Sequence, residues 1–488
     1  MVFLFKVIDL FEMKKLYSLE IYFSLLVSIL LLTYFFVIPS TNLFFFDAKR
    51  LAEILLILFT LFSLSVSLRA QQTLSFYFKN VNLISRYALL SILILGILSA
   101  NFSALVPTQS SVEIITLFSL LLVSLLCIPS FQFLKKNSIY FVLAMILSLS
   151  VMEVQFMSYY VAFLLTDFPF SIHNFFFSFA NPRFFNQYQI FTMPVVSCLV
   201  LSKHPFFQTN KIKYALWSMA ILWWLIFFTS QGRGVIVAVI ISALIVAFIF
   251  RDKATLFLKQ TIILFILGFI TYKFLFDLVP YVISGGTKTL DIPINLTSSG
   301  RLTALWPDAV NHMVNQPWLG IGPMHYTSLH AEQYFSHPHN SILQIGAEWG
   351  VPALILVLFL MYSSFTAWTN KFNKHTLRNT TEESLFILAL SFSLLSGGIY
   401  SLFSGVIVMP MSQITAALVM GLAMSVYFPQ YEASLEAPSR NWWMTLLFGF
   451  LGVYYFWLLS PELIPQFIDP MYFSYHFLQP NSGPRFWQ

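Results

Sequence analysis

Apolar runs of roughly twenty residues follow one another along almost the whole chain, separated by short polar stretches. A helix of that length crosses the hydrocarbon core of a bilayer, and lipid offers no partner to a backbone N–H or C=O left outside a helix. The pattern predicts about thirteen spans, near 20–38, 51–68, 84–101, 112–130, 139–165, 187–202, 213–229, 234–250, 257–279, 341–368, 384–404, 410–427 and 441–459. The implied fold class is all-α: a polytopic membrane bundle of about 12–13 helices with one long outer loop that contains short helices. The chain then divides into N-terminal spans (1–279), the long loop (280–340), C-terminal spans (341–460) and a tail (461–488). The prolines and aromatics of the tail suit a membrane–water interface.

Composition narrows this picture. Only 9% of residues are charged, against about 25% in a soluble domain, so the chain cannot clothe a water-facing surface. The net charge of +6 does not point to nucleic acid, because the basic residues sit in the short loops between spans. Eighteen of the 26 lysines and arginines fall in one set of alternate loops and seven, Lys49 and Arg50 among them, in the other. The positive-inside rule then places the N-terminus in the cytoplasm and the 280–340 loop on the outer side of the membrane. Lys14 and Lys15 before the first run read as a retained signal anchor, since the run is long enough to span and no small-residue cleavage site follows it. Cys127 and Cys198 lie inside apolar runs and read as buried thiols.

The stretch Ser298–Pro352 is the one long segment polar enough for water, and it holds five of the nine histidines. Leu302, Leu305, Trp306, Ala309 and Met313 recur at helical spacing after Ser298 and Ser299, which are good N-caps. Arg301 therefore falls in a first helical turn, where free N–H groups and a guanidinium together attract an anion; the plainer reading is a side chain snorkelling to lipid phosphates. Arg233, in the turn Ser230–Gly234, has the same two readings. His339, in His337-Pro338-His339-Asn340-Ser341, stands where the loop re-enters the bundle, with Asn340 or Ser341 as helix cap. An imidazole there can take a proton from a hydroxyl near neutral pH. Glu348 follows on the Asn340 face, either orienting His339 or serving as a buried helix contact. Arg183, Asn186 and Gln187 form a polar loop among aromatics before the sixth span, suited to a sugar or phosphate or simply to the interface. Lys273 and Asp277 are spaced to pair with each other. His312, His325, His330, His337 and His339 show no tight metal spacing, so no metal is expected.

These residues resemble the bacterial superfamily of O-antigen ligases, O-antigen polymerases and protein O-oligosaccharyltransferases. Arg301 followed four residues later by Leu305 is similar to the ligases' loop arginine motif. His339-Asn340, nine residues and then Gly350 is similar to their histidine motif; Ala353 departs from its last position. Arg233 and the pair Asn186-Gln187 also have counterparts in that superfamily. The resemblance implies a donor glycan on undecaprenyl pyrophosphate and an acceptor hydroxyl on lipid A core, another glycan or a protein. It implies Arg301 and Arg233 on the pyrophosphate, His339 as base, Asn340, Glu348, Gln187 and Arg183 in support, inversion at the sugar, and no cofactor or metal. A compartment without nucleotide-sugars fits such a membrane-delivered donor. The ligase type is favoured by the histidine motif; polymerase and protein transferase remain alternatives. A lipid-linked glycan flippase is the reading from another class, and it would call for internal repeats and midplane charges.

Overall fold

The computed structural model describes residues 45–136, 138–166, 171–176, 179, 181–202, 205–284, 300–326, 337–377, 382–428 and 441–468. The expected span near 20–38, the Ser298 and Ser299 caps, His330 and most of the tail lie outside the described residues. Every regular element described is helical. We number them α1 (Phe45–Val66), α2 (Leu68–Asn80), α3 (Leu83–Phe102), α4 (Pro107–Lys136), α5 (Ser138–Leu165), α6 (Pro182–Val200), α7 (Asn210–Thr229), α8 (Arg233–Phe250), α9 (Thr255–Lys273), α10 (Trp306–Asn315), α11 (Ser341–Trp349), α12 (Val351–Lys371), α13 (Glu382–Tyr400), α14 (Pro410–Tyr427) and α15 (Trp442–Ile468). Among the described residues eight helical stretches are long and apolar enough to cross a membrane, or nine if α1 and α2 count as one span. The apolar stretch Arg233–Ile283 counts once but holds both expected spans, α8 and α9, parted at Arg251 with its φ of +50°, and α2 turns 99° away from α1. Lys49 and Arg50, expected in an outer loop, lie buried in the first turns of α1.

Lipid-facing and core helices differ as the apolar pattern requires. The membrane-crossing parts of α12 and α15 are only 11% and 22% buried, so their Leu, Phe and Trp side chains face outward. Helix α6 is the opposite case. Nearly all its side chains are buried, including Asn186, Gln187, Gln189 and Thr192, and it packs on α13, α7 and α14. It is polar where a lipid-exposed span could not be, and Pro194 interrupts its ladder. The Ile190 carbonyl that loses its partner to Pro194 accepts from Ser396 Oγ at 3.2 Å, and Phe191 O accepts from Ser393 Oγ at 2.8 Å. At Gly397 of α13 a Cβ would come within 2.2 Å of the Phe191 ring, which shows how closely the two helices approach.

Two predicted boundaries move. Helix α6 starts at Pro182, not near 187, because Asn181 caps it through Arg183 N–H at 2.8 Å and proline suits its first turn. Arg183, Asn186 and Gln187 are therefore helical, not part of a loop. The expected span 341–368 is broken at Gly350, whose φ is +84° and where a Cβ would meet Trp318 O at 2.4 Å. Helix α11 is thus a short separate helix, and the span proper is α12. The Lys273–Asp277 pair forms as expected, at 2.8 Å and half-exposed.

Candidate functional site

Five backbone segments meet at the end of the bundle that carries α10 and α11. They are the start of α6, the turn between α7 and α8, the π-turn Arg301–Leu305, residues 337–340, and the turn between α13 and α14. The α7–α8 turn needs Gln231 at φ +54°, and a Cβ at Gly232 would sit 2.2 Å from Asn186 Nδ2. That close approach seats Arg233, the first residue of α8, beside the start of α6 that carries Arg183. Arg301 opens the π-turn leading into α10 and donates from Nη1 to Phe403 O at 2.8 Å. Burial first, and then the charges of Arg183 and Arg233, lower the proton affinity of Arg301, while Tyr400 acts in the opposite sense. A guanidinium stays charged regardless. None of the three arginines forms an ion pair with a carboxylate among the described residues. Three mutually repelling cations without a counter-charge are an anion-binding arrangement.

His339 lies against this cluster. Burial, followed by the charges of Arg301 and Arg183, holds its imidazole down to about 3, so the ring is neutral throughout the physiological range. Its Nδ1 is out of solvent and has no hydrogen-bond partner among the described residues. Its backbone is left-handed, at φ +56°. A non-glycine residue there costs roughly 1–3 kcal/mol and persists only where the surroundings hold it. They hold it on both sides. Pro338 O accepts from Trp306 Nε1 at 3.1 Å; Asn340 Oδ1 caps α11 through Ile342 N–H at 3.0 Å and Leu343 N–H at 3.1 Å. Ser341 then ties the cap to the next turn, its N–H and Oγ both donating to Ser401 O at 2.9 and 3.0 Å.

The remaining predicted residues support this frame. Gln187 is buried and donates from Nε2 to Ser404 Oγ at 2.7 Å. Glu348 is fully buried; its Oε1 accepts from Tyr326 N–H at 3.0 Å and its Oε2 from Gln344 at 3.3 Å. It pins the 317–326 loop onto α11, and through that loop it bears on the site. Burial, with Asp308 and Glu348 nearby, raises the proton affinity of Tyr326, whose hydroxyl donates to Leu305 O at 3.1 Å. Among the described residues no three His, Cys, Asp or Glu side chains converge as a metal site.

The sequence pattern did not mark the turn Ser401–Met409. It accepts from Arg301, Ser341 and Arg50, reaches Gln187, and lies against the start of α8, where a Cβ at Gly234 would be 2.9 Å from Phe403 Cβ. The only trace in the chain is a run of small residues, Gly397 and Gly398 at the end of α13 and Ser401, Ser404 and Gly405 in the turn.

Residues 217–358 match the family model described as O-antigen ligase. No curated protein and no solved structure matches the chain. The matched stretch contains Arg233, Arg301, His339, Asn340 and Glu348, whereas Arg183, Gln187 and the Ser401–Met409 turn lie outside it.

Proposed function

We propose that this chain, an O-antigen ligase-like multi-pass membrane protein, moves a glycan from undecaprenyl pyrophosphate to an acceptor hydroxyl at the periplasmic face of a bacterial inner membrane. The family match supports O-antigen ligase or polymerase-type function in general, and the ligase type with lipid A core as acceptor is the reading favoured here. The observation that carries the proposal is that Arg301 and Arg183 act on a neutral His339 and Arg233 acts on Arg301, with no carboxylate paired to these arginines among the described residues.

In this reaction the acceptor oxygen attacks the anomeric carbon while its proton passes to His339. The bond from that carbon to the pyrophosphate oxygen breaks, and its electron pair leaves on undecaprenyl pyrophosphate. Attack opposite the leaving group inverts the anomeric centre. Arg301, fixed by Phe403 O, and Arg233 and Arg183 beside it meet the charge that grows on the leaving group, a role that needs no divalent ion. An imidazole held near 3 is by itself a weak base. Burial is the larger cause of that depression and the charges of Arg301 and Arg183 add to it; binding the pyrophosphate offsets those two charges, so the donor raises the basicity of His339.

The test is a surface-glycan gel of cells lacking the protein, complemented with wild type or His339→Ala. Loss of the whole ladder from lipopolysaccharide, with polymer still on the lipid carrier, supports the ligase. A single-repeat band in its place supports the polymerase. Full restoration of the ladder by His339→Ala overturns the proposal.

A further inference from the structure

We propose that His337 is a positioning residue of this site, seated on Gly405 so that its ring fixes the orientation of the His339 imidazole. The inference rests on the transferase reading above and adds the element that aims the base.

A histidine used as a base is ordinarily aimed by an acceptor on its second ring nitrogen. Nδ1 of His339 has no such partner among the described residues. What touches the ring is another imidazole: the His337 and His339 centroids are 4.2 Å apart at an interplanar angle of 63°. His337 is 3% exposed, so it is not a ring left loose at the surface. Its floor is the backbone of Gly405, where a Cβ would lie 2.3 Å from His337 Nε2, 2.7 Å from Cε1 and 3.0 Å from Cδ2. Only glycine leaves room for a ring there.

That floor is itself anchored. Met409 N–H donates to Gly405 O at 3.1 Å, Ser412 Oγ to Val406 O at 2.6 Å and Gln413 Nε2 to Ile407 O at 2.9 Å. Arg50, buried and paired with Glu53, donates to Val408 O at 2.8 Å and Gln413 Oε1 at 3.0 Å. The same turn supplies Phe403 O to Arg301 and Ser401 O to Ser341. One rigid turn therefore references the anion-binding arginine, the helix cap after the base and, through His337, the ring of the base. His337 transmits the third of these by packing, which matters because a misplacement near 1 Å costs about a hundredfold in rate.

The experiment uses full-length protein in proteoliposomes, with an undecaprenyl-pyrophosphate-linked oligosaccharide titrated against core lipid A. His337→Ala is expected to lower kcat about ten- to a hundredfold and to leave the KM for the donor within about twofold, since the arginines are untouched. His337→Phe keeps a ring on the glycine and is expected to restore most of kcat. Gly405→Ala displaces the ring and is expected to lower kcat similarly, but to cause no further loss in a His337→Ala background. Wild-type kcat in His337→Ala, additive losses in the double variant, or a loss that falls on KM would overturn the inference. His339→Ala in the same assay separates the two claims. If it retains transfer, the base assignment fails; if it is inactive while His337→Ala is not, only the positioning role fails.

Discussion

Arg301 offers the sharpest test of the site, because its charge and its fork have separate uses. One amine, Nη1, is committed to Phe403 O at 2.8 Å, and the guanidinium lies within the field of Arg183 and Arg233. Arg301→Ala removes both the anchor and the donors. A lost transition-state donor of this kind is worth about 3–4 kcal/mol, so the rate should fall about 10²- to 10³-fold. Arg301→Lys keeps the charge but cannot hold the Phe403 carbonyl and an anion in the same plane. Losing one charge-assisted hydrogen bond, about 1.5–3 kcal/mol, predicts a roughly 10- to 150-fold loss. Arg301→Gln has the opposite defect, retaining a donor for the carbonyl and losing the charge. It should be as slow as alanine, and it should let the proton affinity of His339 rise, because one of the charges depressing it is gone. Initial rates of glycan transfer in proteoliposomes, with donor and acceptor varied separately, measure all three. Wild-type turnover by Arg301→Lys would refute the bidentate role, and wild-type turnover by Arg301→Gln would refute the electrostatic one.

Three further outcomes are expected. The acid limb of kcat/KM, which reports the free enzyme, should lie far below pH 6, since burial and Arg301 and Arg183 hold His339 down to about 3; the limb of kcat, set in the donor complex, should lie higher. The sign for stability follows from the same shift: this neutral imidazole favours the folded state fully above its unfolded value near 6.5, and the contribution is lost as pH falls toward 3. Gly350→Ala should destabilise the protein by more than about 1 kcal/mol, because φ is +84° and the new Cβ would meet Trp318 O at 2.4 Å; a lowered midpoint in a thermal scan read by fluorescence-detected size exclusion checks this. Glu348→Ala should destabilise by about 1–3 kcal/mol, leaving Tyr326 N–H without its buried acceptor, whereas Glu348→Gln keeps an oxygen for it and should cost less in the same scan.

Much of the protein is legible in the chain because lipid makes stringent demands. A bilayer admits helices and closed barrels only, so runs of apolar residues near twenty long announce an all-α bundle without any knowledge of packing. Caps and backbone breakers are local too: Asn340 before α11 was readable from its type, and Gly350 was singled out although its left-handed φ was not. Residue chemistry likewise drew attention to Arg233, Arg301 and His339 before their positions were known.

Their assembly was not legible. Arg183 and Arg301 are more than a hundred residues apart, and no periodicity in either segment encodes that they share one field. The start of α6 was misplaced because a buried helix can carry Asn, Gln and Thr when neighbours satisfy them, as Ser396 and Ser393 satisfy the carbonyls around Pro194. Likewise, Lys49 and Arg50 were read as loop charges, since sequence alone does not reveal that Arg50 finds Glu53, Gln413 and Val408 O inside the bundle. Above all, the turn Ser401–Met409 has no reactive side chain to announce it. It works through backbone carbonyls and the missing Cβ of Gly405, and every residue type supplies the first while any glycine supplies the second. The sequence by itself determined that the chain is a helical membrane protein and which side chains have the chemistry. Only tertiary packing decided which of them meet, because contact between distant segments depends on how helices approach, and that is a property of the bundle as a whole.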